Sequence, residues 1–536
     1  MAEDRPASTA RRAWTVGVMC SAVGLVIAMV TIANTALPSL AADTGATQAE
    51  QTWIVDGYTL VLAALVLPAG ALGDRYGRRG VLVAGLCVFA VGCAAPLVTG
   101  SSTWLIAARA VTGLGAAMIM PATLSIINAS FPPERRGRAI GIWAAVAGIG
   151  GLGGLILAGL LLRYFSWHSV FIGPAVLAVV LALACATVPT SRERAPSPFD
   201  TAGAVLGAVA VGALVFGILR AADGGWGDPV VLVALVAGVA LAVAFGRVEV
   251  RSAAPLLDVR LFLNRAFSLG AISVTVQFTA AFGSLYALAQ YLQLVQGYSA
   301  LESGLVLWPI AVSLLPLSMA SAPLAKRFGL PALTAVGLVV VVAGVVLLGR
   351  LGPDSGYPAL AIAVCVLGGG LGLTAPAATS AILDNVPPDK YGVASAVNDA
   401  TREIGAALGI ALTGTVLSAT YTASVQPATA ALPAPAREVA DGSLAGALAV
   451  SGRTGPALAD AARTAFADGM WNSLLALAGI VAAGIVAAVL LRGARSGAGR
   501  VAGRPPAPTR HPVAPSSPDE RGDRGSRERN RARPPA

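Results

Sequence analysis

Leu72-Gly-Asp-Arg-Tyr-Gly77 and Leu324-Ala-Lys-Arg-Phe-Gly329 are two versions of one loop, 252 residues apart, each following a long apolar run. A second pair, Phe131-Pro-Pro-Glu-Arg-Arg-Gly137 and Val386-Pro-Pro-Asp-Lys-Tyr-Gly392, recurs at an offset of 255. Two separate polar loops repeating at nearly one spacing mean that the chain carries a duplicated unit. Composition identifies the solvent in which that unit folds. Of 536 residues, 56% are hydrophobic and 12% are charged, against about 25% charged in soluble domains. A mean hydropathy of +0.75 requires surroundings that tolerate continuous apolar surface, which is a bilayer.

A helix crosses the hydrocarbon with about 20 residues, because only an unbroken backbone ladder satisfies its own polar groups in lipid. Fourteen runs meet that length: 14–37, 53–72, 80–99, 104–127, 139–162, 168–188, 200–219, 229–246, 267–295, 303–324, 331–349, 358–382, 393–419 and 470–491. The first lacks a small-residue cleavage site and is read as a retained span. The repeated loops follow spans 2 and 10, and spans 4 and 12. Each half therefore has six helices, and spans 7 and 8 are an insert. The expected fold is all-α and polytopic, with two six-helix bundles plus two inserted helices. Its expected segments are a cytoplasmic N-terminus (1–13), an N-terminal bundle (14–188), the insert with its linkers (189–266), a C-terminal bundle (267–492) that includes an outer loop (420–469), and a disordered basic tail (493–536).

Basic residues in short loops gather on the cytoplasmic side. With the N-terminus inside, the inner segments hold eighteen, including Arg11, Arg12, Arg75, Arg78, Arg79, Arg135, Arg136, Arg138, Arg192, Arg194, Lys326 and Lys390; the short outer loops hold Arg163, Arg220 and Arg350. Both termini are thus expected in the cytoplasm. The tail, with ten arginines and four acids among many prolines, cannot bury a core. It is read as solvated chain beside anionic lipid rather than as a nucleic-acid binder.

The same inventory excludes several chemistries. The two histidines, His168 and His511, are too distant to suggest a metal site. All five cysteines lie in apolar runs without CxxC spacing, so no disulfide framework is expected. Neither Lys326 nor Lys390 follows a glycine, so the chain has no P-loop. No catalytic constellation is visible, and the protein is not expected to be an enzyme.

Duplicated six-helix halves related by an axis along the membrane normal are an architecture of secondary transporters. The residues of this chain resemble the fourteen-span drug:proton antiporters of the major facilitator superfamily across all fourteen spans. The loop signature G-x-L-x-D-R-x-G-R-R is present as Gly70, Leu72, Asp74, Arg75, Gly77, Arg78 and Arg79. The span 4 pattern R-x-x-x-G-x-G-A is present as Arg109, Gly113, Gly115 and Ala116. The resemblance implies that the first motif is a conformational latch; its recurrence in the second half favours gating of the cytoplasmic face over the alternative, a positively charged topology anchor. Two positions depart from the family. Span 5 has Gly154-Leu155 and then Ala158-Gly159 where the family has G-P and then G-G, and Met29 stands where the family has a span 1 aspartate. These departures suggest a cavity less suited to cationic drugs, with Asp56 as a replacement acid.

Ionisable side chains inside a span cost about 2.5 to 3.5 kcal/mol near its centre and so mark pathways or partners. Asp56 and Arg109 lie at similar depths and are expected to pair, either as a proton site that competes with substrate or as a static ion pair between two helices. In span 13, Asn398-Asp-Ala-Thr-Arg-Glu403 aligns with Trp143-Ala-Ala-Val-Ala-Gly148 of span 5, so polarity sits in one half only. Asp399, Arg402 and Glu403 share a helical face. One arginine can pair with one acid and leave the other to titrate, or the three form a satisfied network. Gly150, Gly154 and Gly159 of span 5 permit close helix approach and bending. Tyr58, Gln277, Tyr286, Gln290, Trp308, Asn398 and Arg402 are candidates for the substrate cavity.

The function expected from this sequence is proton-coupled efflux of hydrophobic or amphiphilic compounds, an antibiotic or toxic metabolite, across the cytoplasmic membrane, conferring resistance. No cofactor is expected beyond the proton gradient. The partners expected are a small-molecule substrate, protons and the bilayer, with the chain acting as a monomer. The competing reading is an importer or facilitator of a small organic nutrient, which predicts a wetter cavity.

Overall fold

A computed structural model describes residues 9–98, 101–188, 199–252 and 254–492. The N-terminal eight residues, Arg192, Arg194 and the basic tail lie outside the described residues. The first half contains α1 (Thr9–Thr44), α2 (Gln48–Tyr76), α3 (Arg78–Ala94), α4 (Ser102–Ser130), α5 (Pro133–Tyr164) and α6 (Ser169–Cys185). The insert is the hairpin of α7 (Thr201–Gly224) and α8 (Pro229–Arg251). The second half follows as α9 (Arg265–Gln290), α10 (Ala300–Val306), α11 (Pro309–Phe328), α12 (Leu330–Gly349), α13 (Tyr357–Leu383), α14 (Tyr391–Thr429), α15 (Ala434–Gly442), α16 (Leu444–Thr454) and α17 (Pro456–Arg492).

Among the described residues, 13 helical stretches are long and apolar enough to cross a membrane, and α6, at 17 residues, supplies the shorter fourteenth. The protein is a multi-pass membrane protein. Span 10, expected as one run over 303–324, is broken after Val306. Pro309 has no N–H to donate to the preceding turn, so the backbone ladder is interrupted there although Trp308 keeps helical φ and ψ, and α10 and α11 are separate helices. A capping box starts α10. Ser299 accepts from the Glu302 N–H while the Glu302 carboxylate accepts the Ser299 N–H, and those bonds hold the Glu302 carboxyl below the usual carboxylate range. The outer segment 420–469, expected as a loop, is helical. Its α15 and α16 fold back on the ends of α14 and α17, with Ala440, Leu444 and Ala447 buried and the Tyr421 hydroxyl donating to the Ala440 carbonyl. Small residues at a buried face let these short helices pack closely, so a composition too poor for a core of its own joins its neighbours' core.

The duplication is visible in the backbone. Gly77 and Gly329, repeat-related, both end a helix at positive φ (105° and 84°), and their N–H groups close on Gly73 and Ala325, which are also repeat-related. The helix pairs that join the halves follow the same relation. A Cβ on Gly70 of α2 would lie 2.5 Å from the carbonyl oxygen of Gly392 in α14, and one on Gly137 of α5 would lie 2.5 Å from the Cβ of Ala322 in α11. Adding 252 to 70 gives 322 and subtracting 255 from 392 gives 137, so one contact is made twice with the halves exchanged. The inserted α7 packs on both α2 and α14. Trp53 stacks on Phe216 at 6.1 Å, and the Trp226 indole donates to Thr415 at 3.2 Å.

The end of the bundle that carries Arg75, Arg78, Arg79, Arg135, Arg136, Lys326 and Lys390 is called the basic end. There the largest buried core runs without interruption from α1–α6 into α9, α13 and α14.

Candidate functional site

The motif between α2 and α3 builds a junction at the basic end. Asp74, 2% exposed, accepts from the Arg78 guanidinium at 2.7 and 3.0 Å, and from the backbone N–H groups of Gly392 and Val393 at 2.8 and 3.0 Å. Those two N–H groups are orphan donors in the first turn of α14, so a carboxylate of one half caps a helix of the other. Arg78 also donates to the Pro388 carbonyl at 2.8 Å and lies 5.6 Å from the Tyr391 ring centre. Gly70 and Gly392 make this possible, since any side chain at either would strike the opposing backbone. Gly77 turns the chain at positive φ, and Arg79 donates to the carbonyls of Ala186 and Val188 at the end of α6. Arg75 lies beside Tyr76. A second link, Arg136 to Asp384 at 3.6 Å, joins α5 to the end of α13.

Away from the basic end, a cavity of about 240 Å³ lies between the halves. Its wall uses residues 26–34 of α1 and 55–62 of α2, together with parts of α5, α7, α9, α11, α13 and α14. The lining is mostly apolar, with Phe278, Phe282, Leu152, Leu314 and Leu371 prominent, and polar groups come from Thr31, Asn34, Thr59, Gln277 and Ser318. Among the described residues, its charged members are Asp56, from the first half, and Glu403, from the second. Asp56, expected as a replacement for the span 1 acid, is one of these two. Met29 is fully buried in the core, and the carboxyls enter from other helices.

The expected Asp56–Arg109 pair is not made. Arg109 is 1% exposed, donates through Nε to the Ile54 carbonyl at 2.9 Å, and lies 4.4 Å from the centre of the Tyr58 ring. Its two terminal nitrogens have no hydrogen-bond partner. Equal depth along two helices does not set their rotation about their axes, and Arg109 faces the packed side of α2 while Asp56 faces the cavity. Tyr58 is displaced from the wall for the same reason, with its hydroxyl donating to the Val26 carbonyl at 2.9 Å.

In α14 the three charged residues separate into two environments. Asp399 and Arg402 are buried behind the wall, 3.6 Å apart, with Asn398 donating to Asp399 and accepting from Thr379. The Arg402 guanidinium lies 4.6 Å from the Phe278 ring and 5.4 Å from that of Trp143, which belongs to the other half. Glu403, one residue on, reaches the cavity. Of the expected cavity residues, Gln277 is on the wall, its side-chain oxygen accepting from Thr374 at 2.5 Å. Asn398 and Arg402 are one layer behind. Tyr286 and Trp308 are exposed, at 39% and 55%, and Gln290 ends α9; none of the three lines the cavity, and the break before Pro309 leaves Trp308 at the start of α11. Asn34, Thr31, Phe278 and Phe282 were not expected there. The last two, four apart and flanking Ala281, show a helical face that could have been read from spacing.

The glycines of α5 serve contact. A Cβ on Gly154 would lie 2.5 Å from the Ala28 carbonyl oxygen, one on Gly150 3.2 Å from the Ile27 Cβ, and one on Gly159 3.1 Å from the Leu301 Cβ. Among the described residues no group of three His, Cys, Asp or Glu converges as a metal site.

Residues 19–410 match the Major Facilitator Superfamily. The chain is 35% identical to the multidrug efflux pump LfrA of Mycolicibacterium smegmatis over 495 residues, covering 90% of this chain and 97% of that protein. It is 33% identical to the tetracenomycin C resistance and export protein of Streptomyces glaucescens, covering 75% and 74%, and 34% identical to the methyl viologen resistance protein SmvA of Salmonella typhimurium, covering 83% and 91%. In structure it superposes on the human organic anion transporter MFSD10 with a TM-score of 0.60 at 15% identity, over 89% of this chain and 99% of that one. The repeated loops, the contacts exchanged between the halves and these matches agree: the chain belongs to the Major Facilitator Superfamily, as a transporter.

Proposed function

We propose that this protein exports hydrophobic or amphiphilic compounds, an antibiotic or toxic metabolite, out of the cytoplasm in exchange for protons, and that it thereby confers resistance on its host. The observation that carries this reading is the cavity: a mostly apolar chamber between two duplicated halves, with one carboxyl from each half on its wall. A wall with few convergent polar groups suits a ligand that is mainly apolar. Carboxyls from both halves on one apolar wall suit a ligand with a positive charge, or a proton in its place. The relatives named for multidrug efflux and antibiotic export support the direction of transport.

In this scheme Asp56 and Glu403 carry the proton, and Arg109, Asp399 and Arg402 set the field around them. The basic end faces the cytoplasm, with both termini there and the chain acting as a monomer. The Asp74–Arg78–α14 junction is the cytoplasmic latch, closed while the cavity occupies the opposite half of the bundle. Substrate entry requires the latch to part, and rocking of one half against the other exposes the cavity to each side in turn. Energetics permit this exchange. A hundredfold gradient of a neutral substrate costs about 2.7 kcal/mol, and one entering proton supplies about 2.3 kcal/mol per 100 mV plus about 1.4 per pH unit.

The test is accumulation of a panel of antibiotics and dyes in cells with and without the gene, each with and without an uncoupler. Lower accumulation in expressing cells, abolished by the uncoupler, is the expected result. Higher accumulation would establish import, and export that persists with the uncoupler would remove the proton from the mechanism.

A further inference from the structure

The insert contains a pair of acids that the transport cycle above does not use. Asp200 precedes α7 and caps it, its Oδ1 accepting from the Gly203 N–H at 2.7 Å. Glu249, in the last turn of α8, is 2% exposed, and its Oε2 accepts from the Leu257 N–H at 3.4 Å in the segment leading to α9. Each carboxyl has one oxygen left over. Glu249 Oε1 and Asp200 Oδ2 are both buried without a hydrogen-bond partner. They point at one spot, since a Cβ built on Gly203 would lie 2.4 Å from the first and 2.9 Å from the second. Gly203 is therefore where two buried carboxyl oxygens converge.

Two facing carboxylates with no cation between them cannot both ionise, and the ordinary resolution is one shared proton. We propose that Asp200 and Glu249 hold one proton between them, a second protonation site at the basic end, separate from the cavity. Glu249 Oε1 carries the hydrogen and donates it to Asp200 Oδ2, which satisfies both orphaned oxygens with a single bond. Among the described residues, none places a cation at that spot. From the linker comes a further acid, Asp258, whose carboxylate accepts from the Arg260 N–H, and the Arg260 guanidinium is turned to the Val250 carbonyl. On α8 itself, Arg247 and Arg251 are exposed. From α2 and from the start of α14, Asp74, Arg75 and Lys390 border the other side of Asp200, across a pocket of about 30 Å³. That pocket has room for one or two waters and gives protons a route to the pair from the basic end.

The position assigns a consequence. Asp200 and Glu249 tie the beginning of α7 to the end of α8 and, through Leu257, to the chain entering the second half. Val393, whose N–H is held by Asp74, lines the same pocket as Asp200. Loss of the shared proton leaves two like charges facing each other, opens this joint and loosens the insert where it abuts the latch. The rate of transport thus follows the pH at the basic end through a group that moves no proton across the membrane.

The test uses the purified full chain. Infrared spectroscopy at neutral pH reads the C=O stretch of a protonated carboxylic acid, and the expected result is a band that is lost in Glu249→Gln while the protein stays folded, because the Gln amide donates to Asp200 in place of the O–H. In Asp200→Asn, whose side-chain oxygen still caps α7 and whose amide donates to Glu249, the same band is lost because Glu249 no longer needs the proton. In proteoliposomes with a fixed driving force, both variants keep transport and lose the dependence on pH at the basic end. A spectrum unchanged in both variants overturns the proposal, as does a wild-type spectrum without the band. The infrared result is independent of what is transported, so it stands or falls apart from the exporter reading.

Discussion

Glu403 and Asp399 are four residues apart on one helical face and meet different fates, because Glu403 begins the stripe with Ala406, Ala407 and Ile410 that lines the cavity while Asp399 lies one turn nearer the basic end, buried beyond it. Arg402 lies 3.6 Å from Asp399 and is buried among aromatic rings. Removing one member of a buried ion pair leaves an uncompensated charge and costs about 3 to 5 kcal/mol. Asp399→Asn is therefore expected to lower the melting temperature of the purified protein sharply, and adding Arg402→Met to recover most of the loss; a double variant as unstable as the sum of the singles would show that the two do not act as a pair. Glu403→Gln is a different experiment, since it keeps the side chain's size and removes its proton. It is expected to fold normally and to reduce proton-driven export in proteoliposomes by at least about tenfold, the equivalent of about 1.4 kcal/mol, while substrate binding at equilibrium changes less. Undiminished flux on an imposed pH gradient would take Glu403 out of coupling. The acids, the arginine and their shared helical face were readable from spacing. Which acid meets the cavity was not, because spacing places both on one face and does not say where along the helix the cavity ends. The Asp56–Arg109 pairing failed on a different point, since equal depth does not set the rotation of two helices about their axes.

At the scale of elements, the junction of α2 with α14 depends on backbone contact. A Cβ on Gly392 would lie 2.4 Å from the Gly70 carbonyl oxygen and 2.6 Å from Asp74 Oδ1, so Gly392→Val cannot be absorbed by a side-chain shift. The expected outcome is a protein that inserts and binds substrate but whose basic end stays parted, measured as a lengthened distance between probes at Tyr76 and Phe328, with turnover lost. A distance equal to wild type would show that the contact is not the latch. The helices α15 and α16 give a second test. Ala447 is fully buried, and Ala447→Glu is expected to expose the segment between 430 and 455 to protease without altering the rest of the digestion pattern, whereas the unchanged protein resists cleavage there. The loop motif and its recurrence were legible in sequence because turn glycines and charges carry the pattern. The helical outer segment was not, since alanine-rich chain with scattered prolines reads as linker until a neighbouring apolar face is available to cover it.

For the whole molecule, the two contacts exchanged between the halves, Gly70 with Gly392 and Ala322 with Gly137, mean that both seams close at the basic end at the same time. Opening there is expected to be concerted: probes reporting on α2–α14 and on α5–α11 should separate together when substrate is added under a reversed gradient, and independent separation would contradict rocking of intact halves. The sequence by itself determined the solvent, the number of spans, the duplication and the place of the insert, because each of these is written in local hydrophobicity and in loops that recur at one offset. The tertiary structure alone decided which side of each helix faces the cavity, that Arg109 is turned to Tyr58 instead of Asp56, that Asp74 caps a helix of the opposite half, and that Asp200 and Glu249 converge over Gly203. Those facts depend on how helices are rotated against partners hundreds of residues away, and close packing fixes that rotation only when every face has found its neighbour.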